Sequence, residues 1–192
     1  MARPSLKDQR KEEILDAFEI CVARYGVEGA TLDKVAQQAD LARALIRHNI
    51  GNRGQLLAAF IDRFFARSKK MQAQTVAALP VVGRVPTYVD WLFDQNYANP
   101  TFILVSEALI AAAADNPELA KRMRAWIHAF IEDMAKVIAA EYPHASKQDV
   151  SVVATGIAGV YFTIDSYSPL GPMRDLRAAS KDAALRLLGT LD

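Results

Sequence analysis

The sequence predicts an all-α fold of about nine helices, in which an N-terminal three-helix unit built on a helix-turn-helix precedes a larger C-terminal helical bundle. Three observations carry this. Apolar residues recur at helical spacing along nearly the whole chain. Residues that start helices, Thr31, Asn52, Asn99, Asn116 and Ser146, stand before those stripes. No alternating apolar pattern bounded by hairpin turns competes with them. At 192 residues the chain can bury a substantial core. The division expected is 1–54, an N-terminal arm and the helix-turn-helix, and 55–192, the bundle.

The elements follow in order. Ile14, Phe18, Cys21, Val22 and Tyr25 form one helical stripe, which Gly26 closes as a left-handed cap. Thr31 caps a second helix from about Leu32, with Asp33 near the positive end of its dipole. Val35, Ala36 and Ala39 give that helix an apolar side, Asp40 marks a turn, and Ala42 to Asn49 form the third helix. Asn52 and Gln55 make a capping box for a long fourth helix, whose stripe is Leu56, Leu57, Phe60 and Phe64 and which runs to about Leu79. Pro80, Gly83 and Pro86 break the chain there. Helices are then expected near 87–98, 100–114 and 117–141, the last two entered through Asn-Pro pairs. Ser146 starts a helix to about Tyr167 with a stripe at Val150, Val153, Ala154, Ile157, Val160, Tyr161 and Ile164. Ser168-Pro169 and Gly171-Pro172 turn the chain into a final helix marked by Leu176, Ala179, Ala183 and Leu187.

The stretch from Thr31 to Ile50 is the one local pattern whose side chains make sense as a reader of sequence. In its second helix Leu41, Leu45 and Ile46 point to the core, leaving Arg43, Ala44, Arg47, His48 and Asn49 on the other side. Arg and Asn can hydrogen-bond base edges bidentately, and the small Ala44 permits close approach in a major groove.

Residues from about Arg10 to Phe60 resemble the DNA-binding domain of the TetR family of transcriptional regulators. The resemblance rests on Ile14-Leu15 through Tyr25-Gly26, Thr31, Val35-Ala36, Ala39-Asp40-Leu41, Ala42 through Asn49, and Gly51-Asn52-Arg53 before Leu56-Leu57. Three features depart from the family pattern. Asp40 stands where Gly is usual, and Asp tolerates a left-handed backbone better than most residues. Arg47 and Ile50 replace Tyr and Phe, and Arg53 replaces a Lys that touches phosphate, a role Arg fills as well. The resemblance implies that Thr31, Lys34 and Arg53 position the protein on phosphate, with Arg43, Arg47, His48 and Asn49 nearest the bases. It also implies a homodimer on double-stranded DNA, because one recognition helix covers few base pairs whereas two, about 34 Å apart, read a palindrome.

The family's last two helices pack against their copies in a second subunit. The corresponding interface here is Val153, Ile157, Val160, Tyr161, Ile164, Leu176, Ala183 and Leu187, with Gly156 and Gly159 admitting a close partner helix. The alternative is that this pair only completes the core of one subunit. The resemblance further implies a small-molecule effector pocket among the middle helices, for which Trp91, Tyr97, Ser106, Glu107, Trp126, Phe130, Thr155 and Phe162 are candidates.

Charge distribution agrees. The net charge is only +1, yet Leu41 to Lys70 carries seven Lys and Arg against one Asp, while Met71 onward carries ten bases and thirteen acids. Arg3, Lys7, Arg10 and Lys11 suggest a basic arm against DNA or a solvated tail. The single Cys21 excludes an internal disulfide and Cys-rich zinc sites, and reads as a buried structural thiol. Neither a secretion signal nor a charge-free apolar run of spanning length is evident, so a cytoplasmic protein is expected. His128 and His144 lack carboxylates at metal-binding spacing, and no cofactor is expected. A small helical enzyme is the competing class, but the chain has no Gly-rich phosphate loop, His-Glu-x-x-His pair or Gly-x-Ser-x-Gly elbow. A helical protein-binding adaptor is the other, and the steep salt dependence of DNA binding separates the two.

Overall fold

The computed structural model describes residues 5–95 and 99–191. Among them are nine α-helices: α1 Leu6–Gly29, α2 Leu32–Ala39, α3 Arg43–Ile50, α4 Arg53–Ala78, α5 Arg84–Phe93, α6 Pro100–Ala112, α7 Pro117–Glu141, α8 Lys147–Ser166 and α9 Arg174–Leu188. Short 3-10 turns precede α7 and α9, and no strand occurs among the described residues.

Most of the expected start signals act as such. Thr31 Oγ1 accepts from the Lys34 N–H at 3.4 Å. Asn52 Oδ1 accepts from Gln55 N–H at 3.0 Å and Gln55 Oε1 from Asn52 N–H at 2.9 Å, closing a reciprocal box. Asn99, Asn116 and Ser146 each accept from the backbone N–H three residues on, capping α6, α7 and α8. Ser5 and Asp8 add a box that the sequence reading did not include. Asp40 adopts φ 51° and ψ 47°, the left-handed turn expected of it.

Four expectations are revised. Gly26 has φ 70° yet does not end α1, which kinks there and resumes to Gly29 because Val27 is buried. Tyr25 is left 43% exposed beside the kink, outside the buried stripe. Helix α5 starts at Arg84, three residues before the expected point, since Pro86 falls in its first turn, where its missing N–H costs no hydrogen bond. Lys7, Arg10 and Lys11 lie in α1, which is capped at Ser5, and Arg10 pairs with Glu13 at 2.7 Å; Arg3 lies outside the described residues.

The chain forms two compact units, one comprising residues up to Lys69 with Leu104–Ala120, the other Lys70–Ile103 with Lys121 onward. In the first unit Ile14, Phe18, Val22, Val35, Ile46 and Leu56 are fully buried. Phe18 meets Phe60 edge to face at 5.1 Å, which ties the first half of α4 to α1 rather than to the second unit. Arg63, though charged, is nearly buried: it donates to Asp16 at 2.6 Å, Glu19 at 2.7 Å and the Leu15 carbonyl at 2.7 Å, bolting α4 to α1. The second unit has its own core, including Tyr88, Phe93, Met134, Ile138, Val153, Ile157 and Ile164.

By length and composition, Lys147–Leu170 is apolar enough to cross a membrane, although Lys147, Asp149 and Asp165 leave it no charge-free run of that length. Its apolarity has a local use: Val150, Val153, Ala154, Ile157, Ala158 and Ile164 all enter the core of the second unit. In its last turn lies Asp165, whose carboxylate forms a buried pair with Arg177 of α9 at 3.0 Å.

Candidate nucleic-acid interface

The candidate surface is built by α1, α2 and α3 of the first unit. Leu32 and Val35 anchor α2 and Ile46 anchors α3, so that Arg43, Ala44, Arg47 and His48 are exposed on the opposite side of α3. This is the division that apolar spacing predicts. The polar groups on that surface are more committed to one another than their residue types suggest. Arg43 Nη1 donates to both Asp33 carboxylate oxygens, at 3.0 and 3.1 Å, while both side chains stay more than half exposed. Asn49 is half-buried and its Nδ2 donates to the Leu45 carbonyl at 2.8 Å, so its amide is turned along its own helix. Among the described residues Arg47 has no acidic partner, which leaves it the most available cation of α3.

The phosphate candidates are similarly engaged. Thr31 caps α2. Lys34 Nζ donates to the Gly29 carbonyl at 3.0 Å and lies 3.9 Å from the centre of the Tyr25 ring. Arg53 Nη2 donates to the Val27 carbonyl at 2.6 Å and to Glu28 at 3.2 Å, which clasps the start of α4 to the end of α1. Arg63 and Arg67, counted in the basic stretch, are paired with Glu12, Asp16 and Glu19 of α1. The positive charge read along the chain is therefore largely offset in space by acids distant in sequence.

A recess of about 230 Å³ between α1 and α2 escaped the sequence reading. Arg24, Lys34, Gln37 and Gln38 line it, with Cys21 at its floor. Burial pushes the Cys21 thiol up from its ordinary range, against the pull of Lys34 and Arg24, and 2% exposure makes it a packed, unreactive side chain. Arg24 and the two glutamines fall on polar faces of α1 and α2 that carry no pattern of their own, so no sequence signal singles them out.

The pocket candidates separate. Trp126, Phe130 and Phe162 gather in one aromatic cluster of the second unit: Phe130 lies 5.1 Å from Phe162 and stacks on Tyr161 at 5.7 Å, and Trp126 is 6.0 Å from Phe162. Trp91 is half-buried against the core of that unit. Thr155 is exposed and donates to the Ser151 carbonyl at 2.8 Å, so it does not face the cluster's core. Ser106 and Glu107 belong to the first unit, where burial raises the Glu107 carboxyl above its usual range. Tyr97 lies outside the described residues. His128 and His144 are exposed, and no group of metal-ligating side chains occurs among the described residues.

The interface candidates divide as well. Val153, Ile157 and Ile164 are buried in the core of their own unit, and Val160 and Tyr161 pack against it. Leu176 and Ala183 are exposed, while Leu187 is half-buried. A Cβ on Gly156 would meet Leu187 Cδ1 at 2.9 Å, so this glycine admits α9 of the same chain; Gly159 faces open space.

These features define a helix-turn-helix protein with the fold of the TetR family of transcriptional regulators. A TetR-family transcriptional regulator from Cytophaga hutchinsonii superimposes with TM-score 0.79 at 14% identity, covering 98% of each chain. In sequence, the chain is 28% identical over 114 residues to the HTH-type transcriptional repressor SCO4008 of Streptomyces coelicolor, covering 58% of this chain and 56% of that protein. It is 33% identical over 81 residues to the HTH-type transcriptional repressor AcnR of Corynebacterium jeikeium, covering 42% and 41%. The matched stretches thus span about half the length of these relatives, and no protein-family model matches the chain. The resemblance read from Arg10 to Phe60 extends, as fold, over almost the entire chain.

Proposed function

We propose that this protein is a DNA-binding transcriptional regulator, a repressor that acts in the cytoplasm as a homodimer on a palindromic operator and is released by a small-molecule effector. The observation that carries the reading is α3 itself: Ile46 is fully buried while Arg43, Ala44, Arg47 and His48 project outward. Arg47 and His48 are the first candidates for base edges. Arg43 joins them once Asp33 lets go, and Ala44 allows the helix axis close to the groove floor. Thr31, Lys34 and the α1–α2 recess supply the phosphate side. Arg53 supports the site from within, by holding the α1 and α4 ends together. The repressor role is supported by the similarity to the transcriptional repressors SCO4008 and AcnR.

For the dimer, the exposed face of α8, Val152, Thr155, Gly159 and Thr163, is a better candidate than the residues the stripe suggested. A helix-interior glycine with nothing within 4 Å destabilises the free chain and is accounted for by a partner helix that approaches closely. Effector binding in the second unit would favour a separation of the two heads that no longer matches successive major grooves.

Selection of bound sequences from a random duplex pool tests the reading. The expected product is a palindrome whose affinity falls steeply with salt. Absence of enrichment at low ionic strength refutes it.

A further inference from the structure

We propose that the turn joining α8 to α9 is a small-molecule site for an uncharged, carbonyl-type hydrogen-bond acceptor carried on a compact apolar body. The site is a cavity of about 270 Å³ whose walls include Ile164, Pro100, Pro172 and Met173, with Gln95, Ser168 and Arg177 as polar residues of its lining. Two features set it apart from an ordinary packing fault. The Ser168 Oγ is shut off from solvent and, among the described residues, is the one buried side-chain polar atom without a hydrogen-bond partner. Arg177 is 7% exposed and directs Nη1 and Nη2 onto a single oxygen of Asp165, both at 3.0 Å, using two of the five N–H groups a guanidinium carries. The Ser168 hydroxyl therefore has a hydrogen bond left to make. Beside them lies Met173, the N-cap position of α9, which provides no side-chain cap.

The ligand's chemistry follows. Arg177 and Asp165 already neutralise each other, so a carboxylate placed here would meet the Asp165 carboxylate without a free cation to balance it. A neutral carbonyl oxygen accepts from Ser168 and Arg177 without that repulsion. A cavity of 150 Å³ holds benzene, so this one suits on the order of ten non-hydrogen atoms. Asp165 also hydrogen-bonds the Tyr161 hydroxyl, and the Tyr161 ring stacks on Phe130. The site is thus wired to the aromatic cluster through Arg177, Asp165 and Tyr161. As a statement about effector class it rests on the proposed function; as a statement about binding it does not.

Acetophenone, with benzoate as its charged counterpart and ethylbenzene as the version lacking an acceptor, tests it by NMR titration of the full chain without DNA. The expected result is saturable shifts from acetophenone at Ser168, Gly171, Met173 and the Arg177 side chain, with the other two binding at least about tenfold more weakly. Ser168→Ala should weaken acetophenone by roughly fivefold while raising the free protein's Tm by about 2–4 °C, since it removes a buried hydroxyl that lacks a partner. A hydroxyl that served only the fold would not give these opposite signs. No saturable shift at these residues, tighter binding of benzoate, or a lower Tm for Ser168→Ala overturns the proposal. Operator affinity is measured separately. Absent acetophenone shifts with intact operator binding remove this site and leave the DNA reading standing; saturable shifts in a chain that binds no duplex uphold the site alone.

Discussion

Asp33→Asn probes whether Arg43 is a free reader or a restrained one. In the unbound protein Arg43 Nη1 straddles the Asp33 carboxylate at 3.0 and 3.1 Å, and both side chains are more than half exposed. A pair so exposed contributes at most about 1 kcal/mol, which is roughly a fivefold effect on an equilibrium. For Arg43 to reach a guanine that contribution must be given up, and the Asp33 charge then stays beside a polyanion. Removing the charge should tighten operator binding by up to about fivefold at low salt, and less as salt screens it. The variant should also lose about 0.3–1 kcal/mol of stability, because Asp33 lies in the first turn of α2 near its positive end. Fluorescence anisotropy on a labelled operator, with Arg43→Ala and the double variant completing a cycle, measures the coupling. If Arg43 reads a base, its replacement costs about 1–3 kcal/mol and relaxes preference at one base pair. The reasoning is refuted if Asp33→Asn weakens binding, since Asp33 would then be aiming Arg43 rather than restraining it.

Other expectations concern the clasp, the interface and the buried pair. Arg53→Ala should destabilise the first unit by about 1–3 kcal/mol through the orphaned Val27 carbonyl, seen as a lower Tm, while the salt slope of DNA binding stays unchanged. Gly159→Leu should shift the chain from dimer to monomer in sedimentation, whereas a monomeric protein would accept it, since nothing lies within 4 Å. Arg177→Ala should cost about 3–5 kcal/mol by leaving the Asp165 carboxylate buried and unpaired. Burial, the leading cause, raises the Asp165 carboxyl above its ordinary 3.8 against the pull of Tyr161 and Arg177. The folded chain then binds that proton more tightly than the unfolded one. Its contribution to stability falls as pH rises from the ordinary value through the raised one, and Asp165→Asn should abolish that slope in Tm measured against pH.

Local interactions were legible from residue order alone. Thr31, the Asn52-Gln55 box, Asn116 and Ser146 act across three residues, and Asp40 acts on its own backbone, so no distant partner can reassign them. The outward face of α3 was legible for the same reason, because one buried residue, Ile46, orients a helix of eight residues. Helix α8 was not. It is apolar on most of its circumference, and periodicity in such a helix does not distinguish the side against its own core from the side left open. Val153, Ile157 and Ile164 took the first and Val152 the second.

Chain order thus settled the number and placement of most helices, the turn at Asp40, and the exposure of Arg43, Arg47 and His48, since each depends on contacts within one or two helical turns. Tertiary structure decided the rest: that Asp33 holds Arg43 and Val27 holds Arg53, that α1 carboxylates quench Arg63 and Arg67, and that Arg177 is buried beside Asp165 at the α8–α9 turn. Those pairings join residues ten to fifty positions apart, and a charge counted along a chain gains its sign of effect only when the fold sets its neighbour.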